Sequence, residues 1–470
     1  MSHQGSNVTA FSEQLARWAQ GVQFDDLPAE VVRDSKYRVL DVIGLTLAGH
    51  GTPFGRSVRQ AISALYPQGE AHFFGCGTAS SVSGAAFVNG ALAEALEFDE
   101  THNRSLVHMS SPAVAAALAI AESRTVSGRD LITALAIGNE ISCRIGSISP
   151  QQFHKRGFHP TALFAPFGAT YLAGKLYGLD VQQLRNAAGI CGSFASGLLA
   201  CWVDGTQTKF LHPGWAAQSG IHAAMLAGCG TTGPAQVIEG RFGLMESHLQ
   251  SAEAPKNYEQ LVAALGEHWE SQSSSFKPYP VAHVIHPYID AILRLRQEHG
   301  IEADQVEFIE CPIAPYQVGV FCEPLDEKHF PRSDSHGRVS LQFTLAEALV
   351  KGRIDRHSYA PETLADPFVQ AIAQRVRYLP DPSYPGPERF QAEVRILLRD
   401  GRLVSTIEEH NRGSKQNPMS EAEILGKFHD NASDLLNPSQ RDALIAAVME
   451  MDTHNDAGQL VGLTVGGVHS

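Results

Sequence analysis

Apolar positions recur at helical spacing through most of the first 250 or so residues. Pro28 opens one such stretch, EVVRDSKYRVLDVIGLTLAGH, which sets Val32, Val39, Val42 and Ile43 on one face. A second runs from Ala85 to Leu96. A third starts after Pro112 and continues through PAVAAALAIAES, and residues 129–145, 161–177 and 181–200 have the same character. Ala and Gly crowd these segments, which lets helix backbones approach closely and suits a bundle buried on all sides.

The pattern changes after SQSSSF, near residue 275. VEFIECPI (306–313) is short and rich in β-formers. FQAEVRILLRDGRLVSTIEE alternates at Ala392, Val394, Ile396 and Leu398 and then turns at Asp400-Gly401, a strong hairpin signal. Between these, VSLQFTLAEALVKG and DPFVQAIAQRVRYL read as helices. From Ser420 the chain is helical again (SEAEILGKFHDNAS, SQRDALIAAVMEM), and these last helices are expected to return to the first unit. The expected fold is mainly α: a large all-helical domain built from 1–273 and 408–470, with a smaller α+β lid domain over 274–407.

Composition narrows the function classes. A chain of 470 residues with 43% hydrophobic side chains buries a large core and is not disordered. Its 36 Lys and Arg against 50 Asp and Glu leave a net charge of −14, opposite to what nucleic acid or an anionic membrane surface attracts. The most apolar run, Ala113 to Ala121, stops at Glu122, far short of the roughly 20 residues a bilayer needs. The N-terminus, MSHQGSNVTAFSEQLARW, is polar and has no apolar signal core. Seven scattered cysteines without a CxxC pair suit reduced thiols, and the expected location is cytoplasmic.

Two motifs carry little. Gly228-Cys229-Gly230-Thr231-Thr232-Gly233 has dinucleotide-fingerprint spacing, but it follows a helical run and meets Pro234, so it reads as a loop. His283 and His286 could pair on a metal, yet no nearby Cys or carboxylate completes a set, and no metal is expected.

Four segments combine ionisable residues with breaks in the helical pattern. LEFDETHNRSLVHMSSP holds Glu97, Asp99, Glu100, Thr101, His102 and His108. HKRGFHPTALFAPFGAT holds His154, Lys155, Arg156 and His159. DGTQTKFLHPGWAAQSGIHAA holds Lys209 and His212, and FKPYPVAHVIHPY holds Lys277, Tyr279, His283 and His286. His or Lys at a helix entrance sits beside free backbone N–H groups that favour anions. The chemistry this suggests is removal of a proton next to a carboxylate: a neutral His as base, a second protonated group as acid, and Lys or Arg holding the anion. No cofactor is needed for that.

The order of these segments resembles the MmgE/PrpD family, whose members include 2-methylcitrate dehydratase, cis-aconitate decarboxylase and iminodisuccinate epimerase. GAAFVNGALAEALEFDETH, GFHPT with the later FGAT, LRNAAGI, DGTQTKFLHPGWAAQSG, KPYPVAHVIH and SLQFTLAEALVKG carry the likeness, which covers nearly the whole chain. The resemblance implies a cofactor-free, metal-free site in the cleft between the two domains, and a homodimer. It places the family's acidic motif on Glu97 through Thr101, its following histidine on His108, the HPT histidine on His159 and the TK lysine on Lys209. The histidine opening the second domain falls on His283 or His286. In this sequence Glu97 stands where members often have Asp, and Met109 follows His108 where Pro is usual. Val320 falls where the decarboxylase carries an active-site Tyr, with Tyr316 nearest to it.

The expected activity is a lyase of small di- or tricarboxylates, a 2-methylcitrate dehydratase-like hydro-lyase. An epimerase-like isomerase, a cis-aconitate decarboxylase-like enzyme and a non-catalytic carboxylate-binding protein are the alternatives. His108, Lys209, His159, Asp99 and His283 are the expected catalytic residues, and Glu97, Thr101, Arg156, His212 and His286 the expected substrate contacts.

Overall fold

The computed structural model describes residues 10–386 and 389–465; the first nine residues, read above as part of a polar N-terminus, lie outside that range. Helices dominate, and small β-elements join them. The stretch after Pro28 is a helix from Ala29 to His50, whose middle is buried on every side. Around it lie the helices Val82–Glu94, Ser110–Ser123, Gly128–Gly146, Pro160–Tyr177 and His212–Gly228. Side-chain oxygens start several of them. Ser81 accepts from the Gly84 amide, and Ser127 from that of Asp130.

The small residues act as the pattern implies. Gly138 and Gly168 face each other where the Gly128–Gly146 and Pro160–Tyr177 helices cross, so that a Cβ on Gly168 would overlap the Gly138 carbonyl. Gly214 does the same against Phe87 where His212–Gly228 crosses Val82–Glu94. Close backbone approach is what fixes the helices that will carry the site.

The second unit is built on a four-stranded sheet, ordered Val376–Pro380, Val306–Ile313, Ala392–Leu398, Leu403–Glu408. The last two form the expected hairpin, with Leu397 opposite Leu403 and Gly401 in the left-handed conformation at φ 87°. The Leu341–Lys351 and His286–His299 helices lie against this sheet.

Three expectations need correction. The helix expected over 181–200 ends at Cys191, because the following glycines, Gly192 and Gly197, lie tight against Val237 and Ala162 in a chain that turns back towards His159. DPFVQAIAQRVRYL is helical only over Pro367–Ala373. Its second half, Val376–Pro380, is a strand running parallel to Val306–Ile313, where Val376 is buried opposite Ile309. Pairing with a neighbouring strand, which helical periodicity does not report, decides that segment. The helix expected after Pro112 begins two residues earlier, at Ser110.

Two hydrophobic cores result. One gathers side chains from Leu15 to Trp269 together with Phe428, Leu444, Met451 and Val461; the other lies between Val281 and Leu398. The C-terminal segment is therefore part of the first core. Glu421–Ala432 packs on Ala29–His50, with Phe428 against Gly44. Further on, the Gly128 amide donates to the His454 carbonyl (2.9 Å) and the Ala457 amide to that of Val126 (2.8 Å). A Cβ at Gly128 would overlap the Met451 carbonyl.

Gly128→Ala tests this docking. In an isolated helix the change gains up to about 1 kcal/mol. Here the clash should reverse the sign and cost about 1–3 kcal/mol, as overpacking does. Chemical denaturation measures it, and an unchanged or raised midpoint refutes the docking.

Candidate active site

Between the two cores lies a cavity of about 750 Å³. Its inner end is formed by Glu97, Thr101, His108, His159, Lys209 and Lys277, with His283 at one side. These come from four places in the sequence, and each is delivered by a break in a helix. Glu97 follows the end of Val82–Glu94 and takes a left-handed turn at φ 52°. Thr101 lies in a two-residue strand that pairs with Ser274–Ser275, so the acidic segment is tied to the start of the second unit. His159 is the residue before Pro160–Tyr177, and Lys209 sits in the short turn that runs into His212–Gly228.

A buried charge cluster occupies the inner end. The Lys209 ammonium contacts Glu94 directly and lies 2.6 Å from Glu97. Lys277 lies 3.6 Å from Glu97 and 3.9 Å from Asp99 and donates to the Glu97 carbonyl (3.0 Å). Burial alone would raise the Glu97 carboxyl, but Lys209 and Lys277 together pull it down to about 2. Glu94 and Asp99 go the other way: burial lifts both, and the cations offset it only in part, Lys209 at Glu94 and Lys277 with Lys209 at Asp99. Lys209 stays protonated, because its carboxylate neighbours outweigh its own desolvation.

The histidines are neutral. Burial pushes His108, His159 and His283 well below the ordinary histidine value, and Lys209 or Lys277 adds to the push. His108 Nδ1 lies 2.7 Å from the Glu100 carbonyl, an acceptor only, so that nitrogen carries the proton and Nε2 is free to accept one. Thr101 Oγ1 (3.3 Å) and Asp99 (3.6 Å) lie at the same Nδ1. His283 has the opposite tautomer. The Asn411 amide, which also reaches the Arg412 carbonyl, donates to its Nε2 (2.7 Å), leaving the proton on Nδ1, where no other described group bonds it. His108 thus presents a proton acceptor to the cavity beside Lys209 and Lys277, while the Nδ1 of His283 is itself buried.

Three expected residues stand elsewhere. Arg156 faces away, donating to the Leu249 carbonyl (3.0 Å) and to Gln152, while His154 and Lys155 of the same turn line the cavity. His212 lies behind His159, with the two Nδ1 atoms 2.8 Å apart. His286 lies behind His283, stacked on it at 5.0 Å and bonded to the Val281 carbonyl (3.1 Å). Of the two candidate histidines, His283 is therefore the one that borders the cavity.

Sequence reasoning missed Glu94. An acid at the end of the otherwise apolar VSGAAFVNGALAE is a signal, since a buried carboxylate demands a partner. Lys277 was noted within its segment but not singled out. Glu94, His108 and His159 bring one ligand atom each within 4.8 Å of one another, a possible metal set. The Lys209 ammonium already sits on the same Glu94 oxygen, so a dication there would meet it head-on.

Both the helical unit with its acidic turn and the α+β unit that closes over it belong to one known lineage: the chain is a member of the MmgE/PrpD family. The family's MmgE/PrpD N-terminal domain matches residues 13–256 and its MmgE/PrpD C-terminal domain residues 279–452. Among individual proteins, the chain is 28% identical to a cis-aconitate decarboxylase of Aspergillus terreus over 486 residues, 98% of this chain and 96% of that one. The cis-aconitate decarboxylases of Mus musculus and Homo sapiens are each 27% identical, over 98% of this chain and 94% and 95% of theirs.

Lys277→Met should cost about 3–5 kcal/mol at pH 8, because it strands the buried Glu97 and Asp99 carboxylates. The variant's folded carboxyls are raised, so its deficit is full only above their raised folded values. It shrinks as pH falls toward about 4. Urea titrations across pH read this directly; a deficit independent of pH would show that the lysine acts by packing alone.

Proposed function

We propose that the protein is a lyase of small di- or tricarboxylates that moves a proton at carbon next to a carboxylate. The observation that carries this reading is His108 with a free Nε2, on a cavity that Lys209 and Lys277 also line. Lys209 and Lys277 supply the field that favours an anionic transition state.

In the dehydration of a 2-methylcitrate-like hydroxy acid, His108 Nε2 takes the C–H proton and the electron pair forms the C=C bond. The hydroxyl leaves from the neighbouring carbon as water, taking the proton that His108 has picked up, which returns the base to its neutral form. Charge builds on the carboxylate beside the reacting carbon, which Lys209 and His159 stabilise. Thr101 and Asp99 hold the His108 ring through its Nδ1 face. Nothing in the scheme draws on a metal or an organic cofactor.

A second reading is decarboxylation, favoured by the full-length likeness to proteins named cis-aconitate decarboxylases. There the C–C bond breaks, CO₂ leaves, and the electron pair shifts through the double bond to a carbon that accepts a proton. Tyr316 and Val320 both line the cavity, so a phenol is near the position where Val320 replaces the decarboxylase's Tyr. Epimerisation shares the carbanion-like stage and differs in the face that is reprotonated.

Proton NMR in D₂O with 2-methylcitrate, cis-aconitate, citrate and iminodisuccinate separates these outcomes by their products. Dehydration consumes 2-methylcitrate, decarboxylation consumes cis-aconitate with deuterium in the product, and epimerisation exchanges a C–H without net loss. His108→Ala or Lys209→Ala should lower turnover at least ~100-fold, the scale of a lost general base or charge stabiliser. Near-wild-type turnover in either folded variant would falsify the assignment.

Activity should also hold on the acidic side. Because the His108 pKa lies well below its ordinary value, the neutral base persists as pH falls. The acid limb of kcat/KM therefore lies below the usual histidine range of about 6.5. A limb at 6.5 or above assigns the base to another group.

A further inference from the structure

Both ammonium groups at the inner end of the cavity already have carboxyl partners. Three carboxyl groups, Glu94, Glu97 and Asp99, surround two ammonium groups, Lys209 and Lys277. An anionic substrate with several carboxylates needs a further cation, and the α+β unit brings one to the same cavity. Lys328 lies in the short Leu325–His329 helix, is buried, and lines the same cavity as Lys209. Its Nζ donates to the Val339 carbonyl (2.9 Å), and among the described residues no carboxylate lies within 4 Å of it. The nearest acid in sequence, Glu327, is taken up by Arg332 and by His336 (3.4 Å).

A buried ammonium with one neutral acceptor is costly unless an anion joins it. Burial accordingly pushes the Lys328 pKa down to about 8, with Cys322 and Glu327 acting only weakly against the shift. The helix is itself held in place, since Ser340 Oγ donates to the Lys328 carbonyl (2.6 Å). Tyr316 and Trp202 line the same cavity.

We propose that Lys328 is the subsite for a substrate carboxylate remote from the reacting carbon, so that the protein selects tricarboxylates over dicarboxylates. The inference rests on the carboxylate-substrate reading above and adds which side chain reads the extra carboxylate.

Calorimetric titration with unreactive ligands tests the subsite apart from turnover. Tricarballylate carries three carboxylates, and 2-ethylsuccinate replaces one terminal carboxylate of the same skeleton by a methyl group. The wild-type protein should bind tricarballylate about tenfold tighter or more, the scale of a hydrogen bond to a charged group. Lys328→Met should abolish that preference and Lys328→Arg should keep most of it, with both variants' thermal melts establishing that they fold. A preference that survives in Lys328→Met overturns the subsite, as does a wild-type protein that shows none. If the preference vanishes in Lys328→Met while the wild type turns over no carboxylate, the subsite stands and the lyase reading falls. Turnover with unaltered Lys328→Met binding sinks the subsite alone.

Discussion

Everything at the inner end of the cavity depends on neutralising the acidic turn after the Val82–Glu94 helix. Four carboxyl groups, Glu94, Glu97, Asp99 and Glu100, lie buried within seven residues of one another in sequence. Left alone, such a cluster would take up protons or unfold the segment. The chain answers with cations drawn from distant positions: Lys209 on Glu94 and Glu97, Lys277 on Glu97 and Asp99, and Arg38 4.0 Å from Glu100. Burial does most to depress the histidines, and the field of these cations adds to it. Lys209 and Lys277 both push His108 toward its neutral form, and a base must be neutral before it can accept a proton.

The backbone of the same turn is clamped as tightly as its side chains. Three consecutive carbonyls each accept from a buried cation: Leu96 from Arg338 (3.1 Å), Glu97 from Lys277 (3.0 Å) and Phe98 from Lys427 (2.9 Å). Arg338 also holds the Pro280 carbonyl (2.6 Å), and Lys427 is paired with Asp41 (2.8 Å). The three cations belong to the α+β unit, the segment that opens it, and the returning C-terminal helix. The turn is thus held by three separate segments at once. The C-terminal helices brace it through Lys427 and add Phe428, Leu444 and Met451 to the first core.

This also explains what was legible in the sequence. The Ala- and Gly-rich helices and the Asp400-Gly401 hairpin announce themselves through local spacing, and the structure has them close to where that spacing puts them. The residues at the mouths of helices, His108, His159, Lys209 and His283, were legible because breaks in periodicity mark loops, and the resemblance sharpened them. Glu94 was not, because it sits inside a helical pattern and its partner is 115 positions away. Arg156 was misplaced for a related reason. In a three-residue turn, neighbouring side chains point in different directions, and the pattern does not say that His154 and Lys155 face inward while Arg156 faces out. The strand Val376–Pro380 was hidden because its partner, Val306–Ile313, lies 67 residues earlier.

Glu97 draws these threads together. It occupies the left-handed region at φ 52°, uncommon for a residue other than Gly, Asn or Asp, and such strain persists only where the surroundings over-determine it. Here they do: its own carbonyl is held by Lys277, the preceding one by Arg338, and its carboxylate lies between Lys209 and Lys277. An Asp at this position would tolerate the backbone more readily, but its carboxylate would fall one methylene short of bridging both ammonium groups. The longer side chain keeps the two lysines on one counter-charge. Backbone strain and charge balance thus meet in one residue, beside a base that burial and the two lysines hold neutral.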